Sequence, residues 1–251
     1  MPLEMLSTSQ VARAAGLHAN TIRMYESWGY ISPVPRAKNG YRRFSQTHLK
    51  QVKVIKAAHH FTWVMGEVRQ AGLAMIECAA NEDFAGAYAM AKQALENVQT
   101  ERRQAEDAAS YLERWARGLE PEPTQRPLKR TEVAQLLNTT IDALRNWERN
   151  RLIQVPRDPS NGYRRYGPAE IGRLRVIRIL IRSRYSMMAI LRMLTQLDQG
   201  QTEDLRHALD TPRPDEDIFY ATDHWLTTLE EVERHASAAV ELTATFVDKQ
   251  D

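Results

Sequence analysis

A chain of 251 residues is long enough for two ordinary domains, and its 43% apolar and 26% charged content lies near the globular average, which excludes a disordered chain. No apolar run nears the roughly 20 residues that cross a bilayer, and the single Cys78 excludes an intrachain disulfide and any multi-cysteine metal site. The net charge of +2 conceals a segregation: residues 1–60 carry nine Lys/Arg against two Asp/Glu, residues 128–192 fourteen against five, and residues 198–251 four against fourteen.

Two basic blocks on a neutral-to-acidic frame are the footprint of two polyanion-binding modules. The opening Met-Pro-Leu-Glu-Met lacks a basic segment followed by an apolar one, so export is not expected. A lone cysteine fits a reducing compartment, and a cytoplasmic protein is expected.

In chain order, Ser7-x-x-Gln10 predicts a capping box opening a helix whose apolar stripe is Val11, Ala14 and Ala15 and whose end is Gly16. A second helix, about His18 to Trp28, turns Ile22 inward and is stopped by Gly29 and Pro33. Two short helices joined by a glycine-containing turn form a helix-turn-helix, whose second helix enters a major groove. Val34 to Phe44 then predicts a hairpin on Asn39-Gly40, both tolerant of positive φ. The turn is followed by Tyr41-Arg42-Arg43-Phe44, two planar donor forks between aromatics, a shape suited to phosphate. Ser45 caps a third helix carrying Leu49, Val52 and Ile55, and His59-His60 closes it. Thr62 is expected to cap a fourth helix that ends near Gly72.

The whole pattern returns 122 positions later. Asn161-Gly162-Tyr163-Arg164-Arg165-Tyr166 repeats the hairpin, Arg145 repeats Arg23, and Trp147-Glu148 repeats Tyr25-Glu26. Thr140 caps the second recognition helix, which carries Ile141, Leu144, Arg145 and Trp147. Pro168 opens the next helix at its first position, and Ser186 caps the one after. A repeat this long signals a duplicated domain rather than a solenoid unit.

A heptad follows each module. The first runs through Phe84, Tyr88, Ala91, Leu95, Val98, Ala105, Ala109, Leu112 and Ala116, with Arg102 at the missing beat, and predicts a helix of about Asp83 to Gly118. The second runs through Ile218, Trp225, Leu229, Val232, Ala236, Ala239 and Phe246, with Thr222 and Thr243 between. Unrelated surface helices packing on their own modules remain the alternative.

These residues resemble the MerR family of bacterial transcription regulators. The resemblance rests on Ile22-Arg23-Met24-Tyr25-Glu26 with its wing, on Leu144-Arg145-Asn146-Trp147-Glu148 with its own, and on the same 19-residue step from recognition-helix to wing arginine in both copies. It implies long helices that pair antiparallel. The expected fold is therefore mostly α: two winged helix-turn-helix modules, each followed by a long helix, the two long helices pairing as an antiparallel coiled coil. The expected domains are residues 1–75 and 128–197 for the modules and 76–118 for the first coil helix. Residues 119–127 would be the linker, and 198–251 a short helix plus the second coil helix. Both halves sit on one chain, so an intramolecular pseudo-dimer, a monomer in solution, is expected.

The expected DNA-binding residues are His18, Asn20, Thr21, Arg23, Tyr25, Tyr41, Arg42 and Arg43 in the first module. In the second they are Thr140, Arg145, Asn146, Trp147, Tyr163, Arg164 and Arg165. The wing arginines would reach phosphate or minor groove, and an arginine in a recognition helix can read guanine through two bonds. Tyr25 and Trp147 are equally readable as packing residues. The two recognition helices differ in sequence, so an operator that is not palindromic is expected. The resemblance implies promoter DNA and RNA polymerase as partners, and a mechanism that distorts promoter DNA.

Metal sensors of the family use cysteines near the end of the coil helix, whereas Cys78 precedes it, so neither metal nor cofactor is expected. A small-molecule effector, if one binds, would meet Trp63, Tyr88, Trp115, Tyr220 and Trp225, which are also readable as core or seam. The sequence carries no glycine-rich phosphate loop, no metal-binding histidine pair at helical spacing and no nucleophile constellation, which points away from an enzyme. An architectural, excisionase-like DNA protein and a drug-sequestering protein are the alternatives.

Overall fold

The structure is a computed structural model that describes residues 5–64, 66–120, 126–212 and 221–247. In chain order its helices are α1 (Thr8–Ala15), α2 (Ala19–Ser27), α3 (Gln46–His59), α4 (Glu67–Ala80), α5 (Phe84–Ala116) and α6 (Arg130–Leu136). They continue with α7 (Ile141–Arg149), α8 (Pro168–Arg182), α9 (Met187–Asp198), α10 (Leu205–Asp210), a 3-10 turn (Ala221–His224) and α11 (Trp225–Val247). The protein is mostly α, and β pairing among the described residues is confined to isolated antiparallel bridges. The described residues form two compact units: one runs to Thr100 and resumes at Leu229, the other is Glu101–Thr228.

In the first unit the capping box at Ser7 is complete: its N–H donates to Gln10 Oε1 (2.8 Å) and its hydroxyl accepts the Gln10 N–H (3.3 Å). Gly16 ends α1 at φ 61°, a left-handed position that costs glycine little. α1 packs on α2 and α3, burying Val11, Ala12, Ala15, Ile22 and Tyr25. Leu6 and Phe44 exchange two backbone hydrogen bonds (2.7 and 2.9 Å), so the strand leaving the wing is pinned to the residue before α1.

Two local expectations need correction. Thr62 does not cap α4; its hydroxyl donates back to the His59 carbonyl (2.8 Å), and Gly66 is the N-cap instead. Gly72 does not end α4 but lies inside it, where an added Cβ would stand 2.7 Å from Phe61 Cβ; close approach, not chain reversal, requires glycine here. Behind the wing, buried Gln51 donates to the Ala79 and Ala80 carbonyls ending α4 (2.9 and 3.2 Å) and accepts from Ser32 N–H (3.1 Å).

Within this unit, the start of α5 meets the end of α11. Phe84 and Phe246 meet edge to face at 5.9 Å, and Gln99 donates to Glu233 (3.1 Å), so the chain segments run in opposite directions. The inward face of α5 here is Phe84, Ala87, Ala91, Ala94 and Val98, whereas Tyr88 and Leu95 are only half-buried. The expected seam shared every second beat with this one but chose the larger neighbour for the rest. Alanine occupies the inward positions and lets the backbones come close. On α11 the buried residues Leu229, Val232, Ala236, Ala239, Thr243 and Phe246 follow the expected steps. Ile218 lies outside the described residues.

The second unit repeats the module. Thr140 caps α7 by accepting Ala143 N–H (3.0 Å), Pro168 opens α8, and Ser186 caps α9 by accepting Ala189 N–H (3.0 Å). Leu128 and Tyr166 pair as Leu6 and Phe44 do (2.8 and 3.0 Å). At the position equivalent to Gln51, Arg173 does the same bracing with a different group: it donates to Leu152 O (2.8 Å) and forks onto Asp198 at the end of α9. The α5 residues of this unit carry the module's far side. Tyr185 donates to the Ala105 carbonyl (3.1 Å), Ser183 to the Gln104 carbonyl (3.1 Å), and Arg206 to Ser110 Oγ (3.0 Å). Burial first, then Asp210, pushes the Tyr185 phenol well above its ordinary pKa, so it stays a donor.

Candidate nucleic-acid interface

Each module presents a recognition helix beside a wing, and a single carboxylate joins the two. In the first module Glu26, near the end of α2, accepts from Arg42 Nε, and Arg36 stands 3.9 Å from its other oxygen. In the second, Glu148 in α7 accepts from Arg164 Nε and, at its other oxygen, from Arg130 (3.2 Å). The side chains of Arg42 and Arg164 are 25% and 26% exposed, against 17% and 20% for their glutamates, so both pairs are largely withdrawn from water. Arg42 and Arg164, expected to reach phosphate or minor groove, each give their Nε–H to fixing the wing to the helix. The part of Glu26 and Glu148 in joining wing to helix was not expected from the sequence. The signal was present, because each stands 16 residues before its arginine in both copies.

The wings themselves turn differently from expectation. Only Gly40 (φ 81°) and Gly162 (φ 70°) are left-handed, and the asparagines before them are not. Asn39 and Asn161 instead use their side-chain oxygens to accept the N–H of Tyr41 (3.3 Å) and Tyr163 (2.9 Å). In the first wing Ala37 N–H donates to Tyr41 O (2.8 Å) across a three-residue loop; in the second, Asp158 N–H donates to Tyr163 O (2.7 Å) across four. The gapless 122-residue offset therefore hides a one-residue shift on the rising arm.

What the wings expose is Tyr41 (73%) and Tyr163 (75%), with Arg43 and Arg165 beside them. Arg43 makes no ion pair or side-chain hydrogen bond among the described residues, whereas Arg165 meets Asp158 at 3.1 Å. Hydrogen bonds from Ser160, reinforced by Arg165, hold the Asp158 carboxyl below the usual range, so this tether is ionised at neutral pH.

On the recognition helices, His18 and Thr140 are exposed N-caps; His18 Nδ1 accepts Asn20 N–H (3.2 Å). Arg23 donates to Asn20 Oδ1 (2.8 Å), and Arg145 pairs with Asp142 (2.9 Å). Both arginines are exposed and oriented by a residue three positions back, neutral in one helix and anionic in the other. Asn146 is exposed and accepts from Asn150 (2.9 Å), while Thr21 is half-buried. Tyr25 and Trp147 are 7% and 6% exposed. They belong to the packing under the helix, which removes them from the outward set; burial raises the Tyr25 pKa, with Tyr30 adding to it.

The aromatics read as a ligand site differ in exposure and in their immediate contacts. Trp63 is 75% exposed, Tyr88 is half-buried under Lys92 Nζ (4.6 Å), and Trp115 is half-buried. Trp225 is 3% exposed and its indole N–H is taken by the Ser183 carbonyl (2.8 Å). Tyr220 lies outside the described residues. Cys78 is half-buried in α4, its thiol raised by burial and by Asp83 and Glu77. Among the described residues no group of three His, Cys, Asp or Glu side chains could hold a metal ion, and no helix is long and apolar enough to cross a membrane.

A family model described as MerR HTH family regulatory protein matches residues 6–69 and again residues 128–197. Among curated proteins, the HTH-type transcriptional regulator CueR of Salmonella typhi is 34% identical over 73 residues, 29% of this chain and 46% of that protein. CueR of Escherichia coli O6:H1 is 38% identical over 53 residues, 21% of this chain and 39% of the relative. A probable heavy metal-dependent transcriptional regulator of Haemophilus influenzae is 28% identical over 65 residues, 26% and 51% of the two chains. The matches thus span about half the length of these relatives. No solved structure matches the chain significantly.

Proposed function

The chain belongs to the MerR family of HTH regulatory proteins, matched once by each of its two modules, and from that premise we propose that it is a promoter-binding transcriptional regulator acting as a single-chain pseudo-dimer on a site without two-fold symmetry. The observation that carries the proposal is the pair of unlike recognition faces. His18, Asn20, Thr21 and Arg23 stand in one module where Thr140, Asp142, Ala143 and Arg145 stand in the other. Equal half-sites are read by equal surfaces, so unequal surfaces select unequal half-sites.

In this reading residues 1–75 and 128–197 are the two DNA-reading domains, and 76–118 and 198–251 supply the helices that hold them. Arg23 and Arg145 face bases, Tyr41, Arg43, Tyr163 and Arg165 grip the backbone, and Glu26 and Glu148 set the angle between helix and wing. RNA polymerase is the functional partner, and the chain acts by distorting promoter DNA against the contacts it makes. The antiparallel contacts of α5 with α11 in the first unit, and of α5 with the module in the second, support a frame completed within one chain.

Selection of binding sites from random duplexes, followed by hydroxyl-radical footprinting, tests the proposal. It predicts two protected half-sites of different sequence, and a perfect inverted repeat would contradict it. The architectural alternative is separated by in vitro transcription from a promoter carrying the selected site, where a regulator changes transcript yield and a purely architectural protein does not.

A further inference from the structure

The two modules place their charge differently beside the recognition helix. In the second unit Arg130, Arg145, Arg149 and Arg164 line an open cleft of about 580 Å³ between α7 and the wing, with Glu148 as the only acidic residue in its lining. That carboxylate is shared between Arg164 and Arg130. Arg130 is braced further by donating to the Tyr166 hydroxyl (3.1 Å). Arg145 is more than half exposed, and Arg149, one turn later on the same helix face, is exposed and makes no ion pair among the described residues.

The equivalent positions of the first module are Thr8, Arg23, Ser27 and Arg42, and Phe44 replaces Tyr166. Two of the four positions therefore carry no cation there, and Arg36 supplies one from elsewhere. Glu26 takes its second arginine, Arg36, from the wing itself. Its exposed Ser27 donates to the Met24 carbonyl (2.8 Å) and carries no charge.

We infer that the second module makes a backbone contact that the first lacks: Arg149, at the arginine cleft, pairs with a DNA phosphate that Ser27, its equivalent in the first module, cannot hold. The inference rests on the DNA-binding reading above. Glu148 holds Arg130 and Arg164, and Asp142 holds Arg145, which leaves Arg149 as the guanidinium of the cleft with no ion pair among the described residues, and guanidinium forks match phosphate oxygens in geometry as well as charge. Arg130 and Arg164 are positioning residues, held by Glu148 so that the cleft keeps its shape. Arg149 has no such duty and is free to pair. Duplex DNA is the occupant in view, because the cleft adjoins the exposed Arg145 of a recognition helix and lies open to solvent.

The test uses the full chain and a duplex selected by it from a random library, with affinity measured over a range of chloride concentrations. Removing one phosphate-neutralising cation makes the slope of log affinity against log salt shallower by about 0.9. Arg149→Gln is expected to flatten the slope by about that step on selected and on unrelated duplexes alike, since backbone contacts carry no sequence information. Ser27→Arg, which installs the missing cation, is expected to steepen it by a similar step. Unchanged slopes in both variants, from a wild type that binds, would overturn this contact while leaving DNA binding intact. A wild type that enriches no duplex would overturn the DNA-binding reading and this inference with it. Inorganic pyrophosphate at matched ionic strength is expected to displace the duplex no better than chloride; displacement at micromolar concentration would make the cleft a site for free polyphosphate and refute the assignment.

Discussion

Glu26 and Glu148 hold each wing to its recognition helix through a single carboxylate. Hydrogen bonds to charged groups are worth roughly 1.5–3 kcal/mol each, so the neutral isosteres Glu26→Gln and Glu148→Gln are expected to lower stability by about 1–3 kcal/mol. Chemical denaturation measures this, and midpoints equal to wild type would show that the pairs are not made in solution. Glu148→Gln should cost the more, because it strands Arg130 as well as Arg164. The Asn-Gly-Tyr-Arg-Arg stretch is legible in the sequence, but the glutamate that the first arginine of each pair meets within the fold is not. A charged residue near a wing attracts a phosphate reading by type, and only geometry shows that its charge is already matched within the fold. Burial separated Tyr25 and Trp147 from the exposed set for the same reason: an amphipathic aromatic suits both sides of a helix.

At the scale of elements, caps were legible and close approaches were not. Ser7, Ser45, Thr140, Pro168 and Ser186 announce helix starts through local chemistry that needs no tertiary partner. Gly72 and the alanines Ala87 and Ala94 owe their positions to a neighbouring backbone, which periodicity alone does not reveal. One junction of elements carries a pH prediction. His60 at the end of α3 stacks on His235 of α11, with ring centroids 3.6 Å apart, in the unit to which both belong. Burial first, then His235, His59 and Lys56, lowers the His60 pKa below its ordinary value. A lowered folded pKa means that the unfolded chain binds more protons in this window, so stability falls as pH falls through and below about 6.5. Thermal midpoints are expected to drop between pH 7 and pH 5, and His60→Asn is expected to flatten that dependence. A midpoint that rises on acidification, or an unchanged slope in the variant, would contradict the assignment.

For the whole molecule, the repeat was the most legible feature and the source of the main functional expectation. The family model matches this 251-residue chain twice, once in each module. What the repeat did not reveal is how far the copies have diverged: a wing loop longer by one residue, a tethered Arg165 against a free Arg43, and an arginine cleft in one copy alone. These differences all favour an asymmetric site. In the proposed function one chain supplies both halves of the reader. Sedimentation equilibrium of the complex with a selected duplex tests it most directly. One 28.8 kDa chain per duplex is expected, and two chains per duplex, each engaging a like half-site, would overturn the single-chain reading.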